Sequence, residues 1–228
     1  MNKPFLDIKN LSKSYQLASN EINIFKNVSF KINKGDLVAL VGPSGSGKSS
    51  LLNMISCLDD DFKGEIFFEG NKINQISDDK KNDIRKEKIS LIFQNNNLLN
   101  DFTAIENVAF PLVIKNYSKK NSYDEATKIL TDFGLGNRLN HFPDELSGGE
   151  QQRVAIARSL IAETELILAD EPTGNLDHQT TKEIFAYFLK LKKLKKTIIF
   201  ATHNRELANR ADYKLFISDG NIKRVNAR

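Results

Sequence analysis

The sequence predicts an α/β fold with a mostly parallel sheet, an N-terminal antiparallel β subdomain and an inserted helical subdomain. Continuous apolar runs at Leu37–Val41 and 166–169 are typical of strands covered on both faces, as in a parallel sheet. The run at 28–32 alternates apolar and polar residues, which indicates a half-exposed strand near the N-terminus. Between Gln94 and Leu146 there is no strand pattern, only polar loops and helical spacing, which predicts the helical insert.

Further patterns place the remaining elements. Strand-like runs occupy 65–68, 89–93 and Thr197–Ala201, and a last pair at 214–217 and 222–225 flanks a hairpin turn at 218–221. Helical spacing of apolar residues predicts three helices, carried by Leu51, Leu52, Ile55 and Leu58, by Ala126, Ile129, Leu130 and Phe133, and by Ile184, Phe188 and Leu191. No repeat or linker divides the chain, so we expect one unit over residues 1–228, with a core and β subdomain at 1–94 and 158–228 and a helical subdomain at 95–157.

The composition is that of an ordinary globular protein. The 228 residues, 40% of them hydrophobic and 27% charged, suffice for one sizeable core. No apolar run reaches the roughly 20 residues that span a bilayer, and residues 1–7 lack the apolar segment of a secretion signal. The single cysteine, Cys57, excludes an intramolecular disulfide and is typical of a reducing compartment. The net charge of +4 is scattered rather than striped with aromatic residues, so we expect no nucleic acid partner.

A phosphate-binding loop follows the strand Leu37–Val41. Residues 42–49 fit G-x-x-x-x-G-K-[ST] and precede a helical pattern, which is the context this motif requires. The glycines let backbone N–H groups face phosphate oxygens, and the helix N-terminus adds positive potential. We expect Lys48 to bridge the β- and γ-phosphates and the Ser49 hydroxyl to bind Mg²⁺. The candidate nucleotide-binding residues of this loop are Gly42, Pro43, Ser44, Gly45, Ser46, Gly47, Lys48, Ser49 and Ser50.

Two adjacent acids follow the apolar run 166–169. Asp170 would emerge at the carboxyl end of that strand, beside the phosphates, where it can hold Mg²⁺ directly or through water. Glu171 comes next in the chain. Alone, two acids at a strand end are as well explained by surface charge, but together with Lys48 they indicate a site for a metal and a phosphate.

A third motif, Leu-Ser-Gly-Gly-Glu-Gln-Gln-Arg at 146–153, lies ahead of the acids. Ser147, Gly148 and Gly149 would begin a helix and expose its N–H groups to an anion. The three motifs in this order resemble the ATP-binding cassette (ABC) ATPases, and the resemblance covers nearly the whole chain. It implies a P-loop ABC ATPase core that hydrolyses ATP with Mg²⁺.

The resemblance also implies roles for individual residues. Glu171 would polarise the attacking water, and His203, after the strand Thr197–Ala201, would reach the γ-phosphate. Gln94 matches the residue that touches Mg²⁺ or the water and moves with the helical subdomain. Tyr15 matches the aromatic residue that stacks on adenine, with an ordinary loop tyrosine as the alternative.

A second subunit is implied as well. In the ABC family, the residues matched by Ser147, Gly148 and Gly149 contact the γ-phosphate of ATP held by the other subunit. Asp177, in the run 175–177, matches the loop that crosses to that subunit. The resemblance therefore implies a head-to-tail homodimer in the ATP-bound state.

The segments 94–112 and 169–177 resemble cassettes that serve permeases with large periplasmic domains. The pattern at 98–108 is similar to that of the ATPase of lipoprotein-releasing systems, and the asparagine run at 95–97 departs from it. This resemblance implies two membrane-spanning permease subunits, membrane association through these partners only, and a peripheral position on the cytoplasmic face of the inner membrane. Its function would be release of lipoproteins towards the outer membrane. The alternative is an ATPase of a macrolide or peptide efflux complex, or of a cell-division complex, of the same permease group.

Overall fold

A computed structural model describes residues 3–17, 20–174 and 176–226. The strands of these residues are β1 (Leu6–Leu17), β2 (Asn20–Ile32), β3 (Leu37–Val41), β4 (Lys63–Phe68), β5 (Asn71–Lys72), β6 (Ile89–Ile92), β7 (Leu166–Asp170), β8 (Thr197–Ala201), β9 (Tyr213–Ser218) and β10 (Asn221–Asn226). The helices are α1 (Lys48–Ile55), α2 (Asp78–Lys88), α3 (Ala104–Ile114), α4 (Lys119–Asp132), α5 (Gly148–Leu160), α6 (His178–Lys193) and α7 (Arg205–Asn209).

The larger sheet has six strands in the order β10-β9-β3-β8-β7-β6. All neighbouring pairs are parallel except β10 with β9. Along β3, Leu37 and Ala39 join one buried cluster whereas Val38 and Leu40 join another, so the sheet is covered on both faces. This confirms the mostly parallel sheet. It also brings the carboxyl ends of β3, β8, β7 and β6 to one edge.

The smaller sheet is antiparallel in the order β2-β1-β4-β5. Its buried residues pack with α1 against one face of the larger sheet. The N-terminal antiparallel sheet is thus confirmed. Its position over α1 places β1 and β2 beside the loop that begins this helix.

Helices fill the chain between β6 and β7, where the described residues contain no strand. Apolar residues of α3, α4 and α5 share one buried cluster with α6 and the second face of the six-stranded sheet. None of the helices in the described parts of the chain is long and apolar enough to cross a membrane. The helices carried by residues 126–133 and 184–191 are confirmed as α4 and α6.

Several elements differ from the sequence prediction. Neither β1 nor α2 is predicted from the sequence pattern. In β1, register shifts between Ile8 and Ser14 interrupt the alternation. In α2 the one buried residue is Lys81, so the helix has no apolar stripe to detect. Leu58 does not belong to the first helix: α1 ends at Ile55, Cys57 has a positive φ of 59°, and Leu58 is exposed.

The C-terminal hairpin is confirmed with a tighter turn than predicted. Ser218 and Asn221 pair within the ladder, which leaves Asp219 and Gly220 as the turn. Both have positive φ, 52° and 78°, as a two-residue type I′ turn requires.

Candidate nucleotide-binding site

A cavity of about 590 Å³ lies at the carboxyl edge of the six-stranded sheet. The loops after β3, β6, β7 and β8 and the first turn of α1 supply most of its wall, and the antiparallel sheet supplies the rest. The lining residues are Tyr15, Ile24, Ser44, Gly45, Gly47, Lys48, Ser49, Ser50, Gln94, Asp170, Glu171, Gly174 and His203. The topology therefore assembles residues from Tyr15 to His203 in one place.

Two glycines fix the path of the loop after β3. A Cβ on Gly42 would lie 2.2 Å from the carbonyl oxygen of Ile217. A Cβ on Gly47, whose φ is +99°, would lie 2.3 Å from Cγ2 of Ile24. Any other residue at position 42 would force a backbone shift, and at position 47 it would combine a side-chain clash with a strained positive φ. The loop consequently wraps closely against β9 and β2 before α1 begins at Lys48.

Lys48 is held at the inner side of this loop. Its side chain is buried, and its Nζ donates hydrogen bonds to the carbonyl oxygens of Gly42 at 3.2 Å and Pro43 at 3.1 Å. Among the described residues no carboxylate pairs with this ammonium group, and the buried hydroxyl of Ser46 makes no hydrogen bond to any of them. A cation without an anionic partner, beside the N-terminus of α1, fits a phosphate group.

Glu171 follows β7 in a left-handed backbone conformation, with a φ of 45°. Its N–H donates to the carbonyl oxygen of Ala201 at 3.1 Å, which ties it to β8. The backbone N–H of His203 donates to its Oε2 at 3.3 Å. Nε2 of His203 also lies 3.3 Å from Oε1, but this buried oxygen makes no hydrogen bond within the described chain.

Burial raises the pKa of Glu171, whereas the nearby His203 and Lys48 oppose the shift. A carboxylate with a raised pKa and a free buried oxygen is suited to accept a proton from a water molecule in the cavity. The negative charge of the neighbouring Asp170 adds to the raised pKa of Glu171.

Ser49, Gln94 and Asp170 line the cavity as the candidate metal ligands. Within the described chain, no group of three or more His, Cys, Asp or Glu side chains could hold a metal ion by itself. A hydroxyl, an amide and one carboxylate suit Mg²⁺ that keeps water and takes oxygens from a bound phosphate. This donor set therefore fits Mg²⁺ that arrives with a nucleotide.

Tyr15, on β1, also lines the cavity. The residue is 40% exposed, and its hydroxyl lies 3.3 Å from Oγ of Ser50. An exposed ring beside the phosphate loop is available for stacking on a base.

The remaining predicted residues do not line this cavity. Ser147 caps α5: its Oγ accepts from the N–H of Glu150 at 3.3 Å, and Oε2 of Glu150 accepts from its N–H at 2.8 Å. Ser147 and Gly148 are exposed, and apart from its chain neighbours and the backbone of its own helix, no atom of the described residues lies within 4 Å of the point that a Cβ on Gly148 would occupy. The neighbouring Gly149 is half-buried.

Asp177, also outside the cavity, caps α6 and accepts from the N–H of Thr180 at 3.0 Å. Asn175, in the same run, lies outside the described residues. A role for these residues in a second chain's site stays a prediction.

Two residues of the cavity wall are missed by the sequence analysis. Ile24 reaches the cavity because β2 packs on the phosphate loop, and no local pattern signals that contact. Gly174 follows the two acids within the run 169–177, so its position after Glu171 could have indicated it.

The chain is similar to proteins of one family over nearly its whole length. The family model described as ABC transporter matches residues 25–174. The lipoprotein-releasing system ATP-binding protein LolD of Rickettsia conorii is 46% identical over 218 residues, which cover 94% of this chain and 96% of that protein. LolD of Rickettsia bellii is 47% identical over 220 residues with the same coverage. A dimeric ATP-binding cassette, solved in a post-hydrolysis state with ADP and phosphate, superposes with a TM-score of 0.93 at 38% identity, covering 98% of this chain and 99% of that one.

Proposed function

Because the chain belongs to the ABC transporter family, we propose that it is the ATP-hydrolysing subunit of a system that releases lipoproteins from the inner membrane towards the outer membrane. As a cassette of this family, it is an ATPase that uses ATP with Mg²⁺ and couples hydrolysis to transport. The observation that carries the finer proposal is the 46–47% identity, over 94% of the chain, to proteins named as the ATP-binding component of the lipoprotein-releasing system.

In the proposed site, Lys48 and the N–H groups of the loop after β3 hold the β- and γ-phosphates. The ammonium already lies among backbone carbonyls, and no carboxylate of the described residues competes for it. Ser49, Asp170 and Gln94 would hold Mg²⁺, which supplies positive charge to the phosphate oxygens when bound. Tyr15 would stack on the adenine.

Glu171 acts as the proton acceptor for water in this proposal. Its Oε1 is buried without a hydrogen bond to any described residue, and the N–H of His203 fixes the other oxygen. His203 would orient the water and contact the γ-phosphate, since its ring is exposed at the cavity beside Glu171. The order of these groups along adjacent strand ends supports an in-line attack from the side of Glu171.

We assign the exposed N-terminus of α5 to the ATP of a second copy. Ser147, Gly148 and Gly149 lie outside the chain's own cavity, and the similar solved cassettes are described as dimeric. Asp177 would lie at the same junction. ATP then links two chains head to tail, and its hydrolysis removes the link.

Two membrane-spanning permease subunits would receive the resulting movement. Segment 95–112, within the proposed helical subdomain at 95–157, is the candidate contact. Leu99 of this segment is 41% exposed. The start of the segment also forms part of a polar groove, whose lining includes Gln94, Asn95, Asn97 and Gln151. The protein would be peripheral, on the cytoplasmic face of the inner membrane, held there through its partners only.

The test is a pull-down of the Glu171→Gln chain from native membranes with Mg-ATP. We expect two related permease subunits and lipoproteins to be recovered, because the variant should bind ATP and remain closed. The control is the same chain carrying Lys48→Met, which should not close. An efflux or cell-division permease in place of the lipoprotein system would refute the finer function and leave the ATPase intact.

A further inference from the structure

Lys13 is a buried cation next to the proposed base-stacking tyrosine. Its side chain is only 2% exposed, and its Nζ lies 4.7 Å from the centroid of the Tyr15 ring. Lys13 and Tyr15 both belong to β1, and across the register shift that follows Lys13 the ammonium group lies over the tyrosine ring. Tyr15 lines the cavity; the cation therefore covers one face of a ring that belongs to the nucleotide site.

The ammonium group is fully hydrogen-bonded to the loop that follows α1. It donates to Oδ1 of Asp59 at 3.1 Å, to the carbonyl oxygen of Asp61 at 2.5 Å and to Oδ2 of Asp61 at 3.2 Å. The Asp61 carboxylate is exposed, so Asp59 and the carbonyl carry most of the interaction. Oδ1 of Asp59 also accepts from the N–H of Asp61 at 2.9 Å, which holds the loop in place.

Burial alone would lower the pKa of Lys13, but the bonds to Asp59 and Asp61 outweigh it and raise the pKa. The side chain is thus a permanent cation. A purely structural role at this position, beside the fully buried Leu11, would be served with less desolvation by an apolar side chain. The charge is therefore the feature that needs an explanation.

We propose that Lys13 is a positioning residue for the nucleotide base: it fixes the Tyr15 ring by a cation–π contact and polarises it, so that the open face stacks more strongly on the base. The inference rests on the proposed role of Tyr15. Lys13 ties the ring to the loop after α1, and Ser50 of α1 lies 3.3 Å from the tyrosine hydroxyl. Both anchors belong to the helix that begins at the phosphate loop or to the loop after it, so the base site and the phosphate site keep a fixed separation.

The positive charge of Lys13 should polarise the Tyr15 ring. An aromatic face is electron-rich, and a cation over one face withdraws density from the other. The second face then repels the electron-rich purine less. Because stacking does not read hydrogen bonds, the effect should apply to any purine nucleotide rather than select adenine.

The experiment compares Mg-ATP with Mg-inorganic triphosphate, which lacks the base, by calorimetric titration of the whole chain. Lys13→Met should weaken binding of Mg-ATP by about three- to tenfold and leave binding of triphosphate unchanged. Lys9→Met is the matched control, since Lys9 lies on the same strand with its Nζ 4.6 Å from the Phe67 ring, away from the cavity. Lys9→Met should change the affinity for neither ligand. A Lys13→Arg chain, which keeps the positive charge, should retain most of the natural affinity for Mg-ATP.

Unchanged Mg-ATP binding by a folded Lys13→Met chain would overturn the inference, as would an equal loss of both ligands. Tyr15→Ala separates this failure from failure of the proposed site. If Tyr15→Ala weakens Mg-ATP while Lys13→Met does not, only the role of Lys13 is lost; if neither does, the base does not stack on Tyr15. Should Lys13→Met fail to fold, combining it with Asp59→Asn removes the unpaired carboxylate and gives the same readout.

Discussion

Gly148→Asp is the substitution that most directly tests whether the site is completed by a second chain. Gly148 is the exposed first residue of α5, and a side chain there would meet no atom of the described residues within 4 Å of its Cβ. An aspartate therefore meets no steric obstacle in the single chain. It also sits favourably at a helix N-terminus, where a negative charge contributes about 0.3–1 kcal/mol. We expect unchanged or slightly increased stability of the single chain.

The same charge should be unfavourable against the phosphate of a second chain. With about 5 Å between the carboxylate and the γ-phosphate and an effective dielectric constant of about 20, two unit charges repel by ~3 kcal/mol. That repulsion weakens each phosphate contact by about two orders of magnitude, and because a head-to-tail pair contains two such contacts, ATP-dependent pairing should weaken by about four. Binding of ATP to the chain's own cavity should not change, because Gly148 does not line it.

The assay measures ATP binding by titration, pairing by sedimentation with Mg-ATP, and turnover by phosphate release. Gly148→Asn is the matched control, since it adds a similar volume without the charge and should retain most of the pairing. Mixing Gly148→Asp with Lys48→Met should restore turnover: one of the two sites in the mixed pair combines an intact phosphate loop with an intact α5. Full turnover by Gly148→Asp alone, or loss of its ATP binding as a single chain, would refute the reasoning.

Two further predictions concern the cavity wall. Because burial raises the pKa of Glu171, the native state binds more protons than the unfolded state between the ordinary and the raised pKa, so this group makes stability fall as pH rises through that window. Thermal unfolding should show that Glu171→Gln is more stable than the natural chain at pH values above this window and equally stable below it. A difference of the opposite sign would contradict the raised pKa of Glu171. Gly47→Ala would place a Cβ 2.3 Å from Cγ2 of Ile24 at a φ of +99°, so denaturant unfolding should show a loss of roughly 1–3 kcal/mol. Gly148→Ala, which enters open space, is its control and should be nearly neutral.

The sequence predicts the six-stranded sheet well because a strand covered on both faces must be continuously apolar. Leu37–Val41 carries that signal in five residues, and β7 carries it in four, at 166–169. The motifs at their carboxyl ends then follow from topology, since parallel neighbours end at the same edge. The phosphate loop and Asp170 are predictable from the sequence for this reason.

The rest of the site depends on contacts that no local pattern records. Strand β1 loses its alternation to register shifts, and Lys13 occupies an inward position that a periodicity analysis assigns to an apolar residue. The charge is accommodated by Asp59 and Asp61, 46 and 48 residues away along the chain. Helix α2 is equally hidden, because its eleven residues bury only Lys81. Tertiary pairing, not propensity, decides these elements.

The two sheets supply different parts of the proposed reaction. Phosphate chemistry needs charges and N–H groups held rigidly, and the ends of β3, β7 and β8 provide them because both faces of that sheet are buried. Base binding needs only an aromatic face, which the exposed Tyr15 on β1 of the antiparallel sheet can offer. Changes at Lys13 or Tyr15 should therefore act on the ground state and raise KM, whereas changes at Glu171 should lower kcat with little effect on ATP affinity. Substitutions in the antiparallel sheet should therefore change mainly KM, and substitutions at the end of the six-stranded sheet should change mainly kcat.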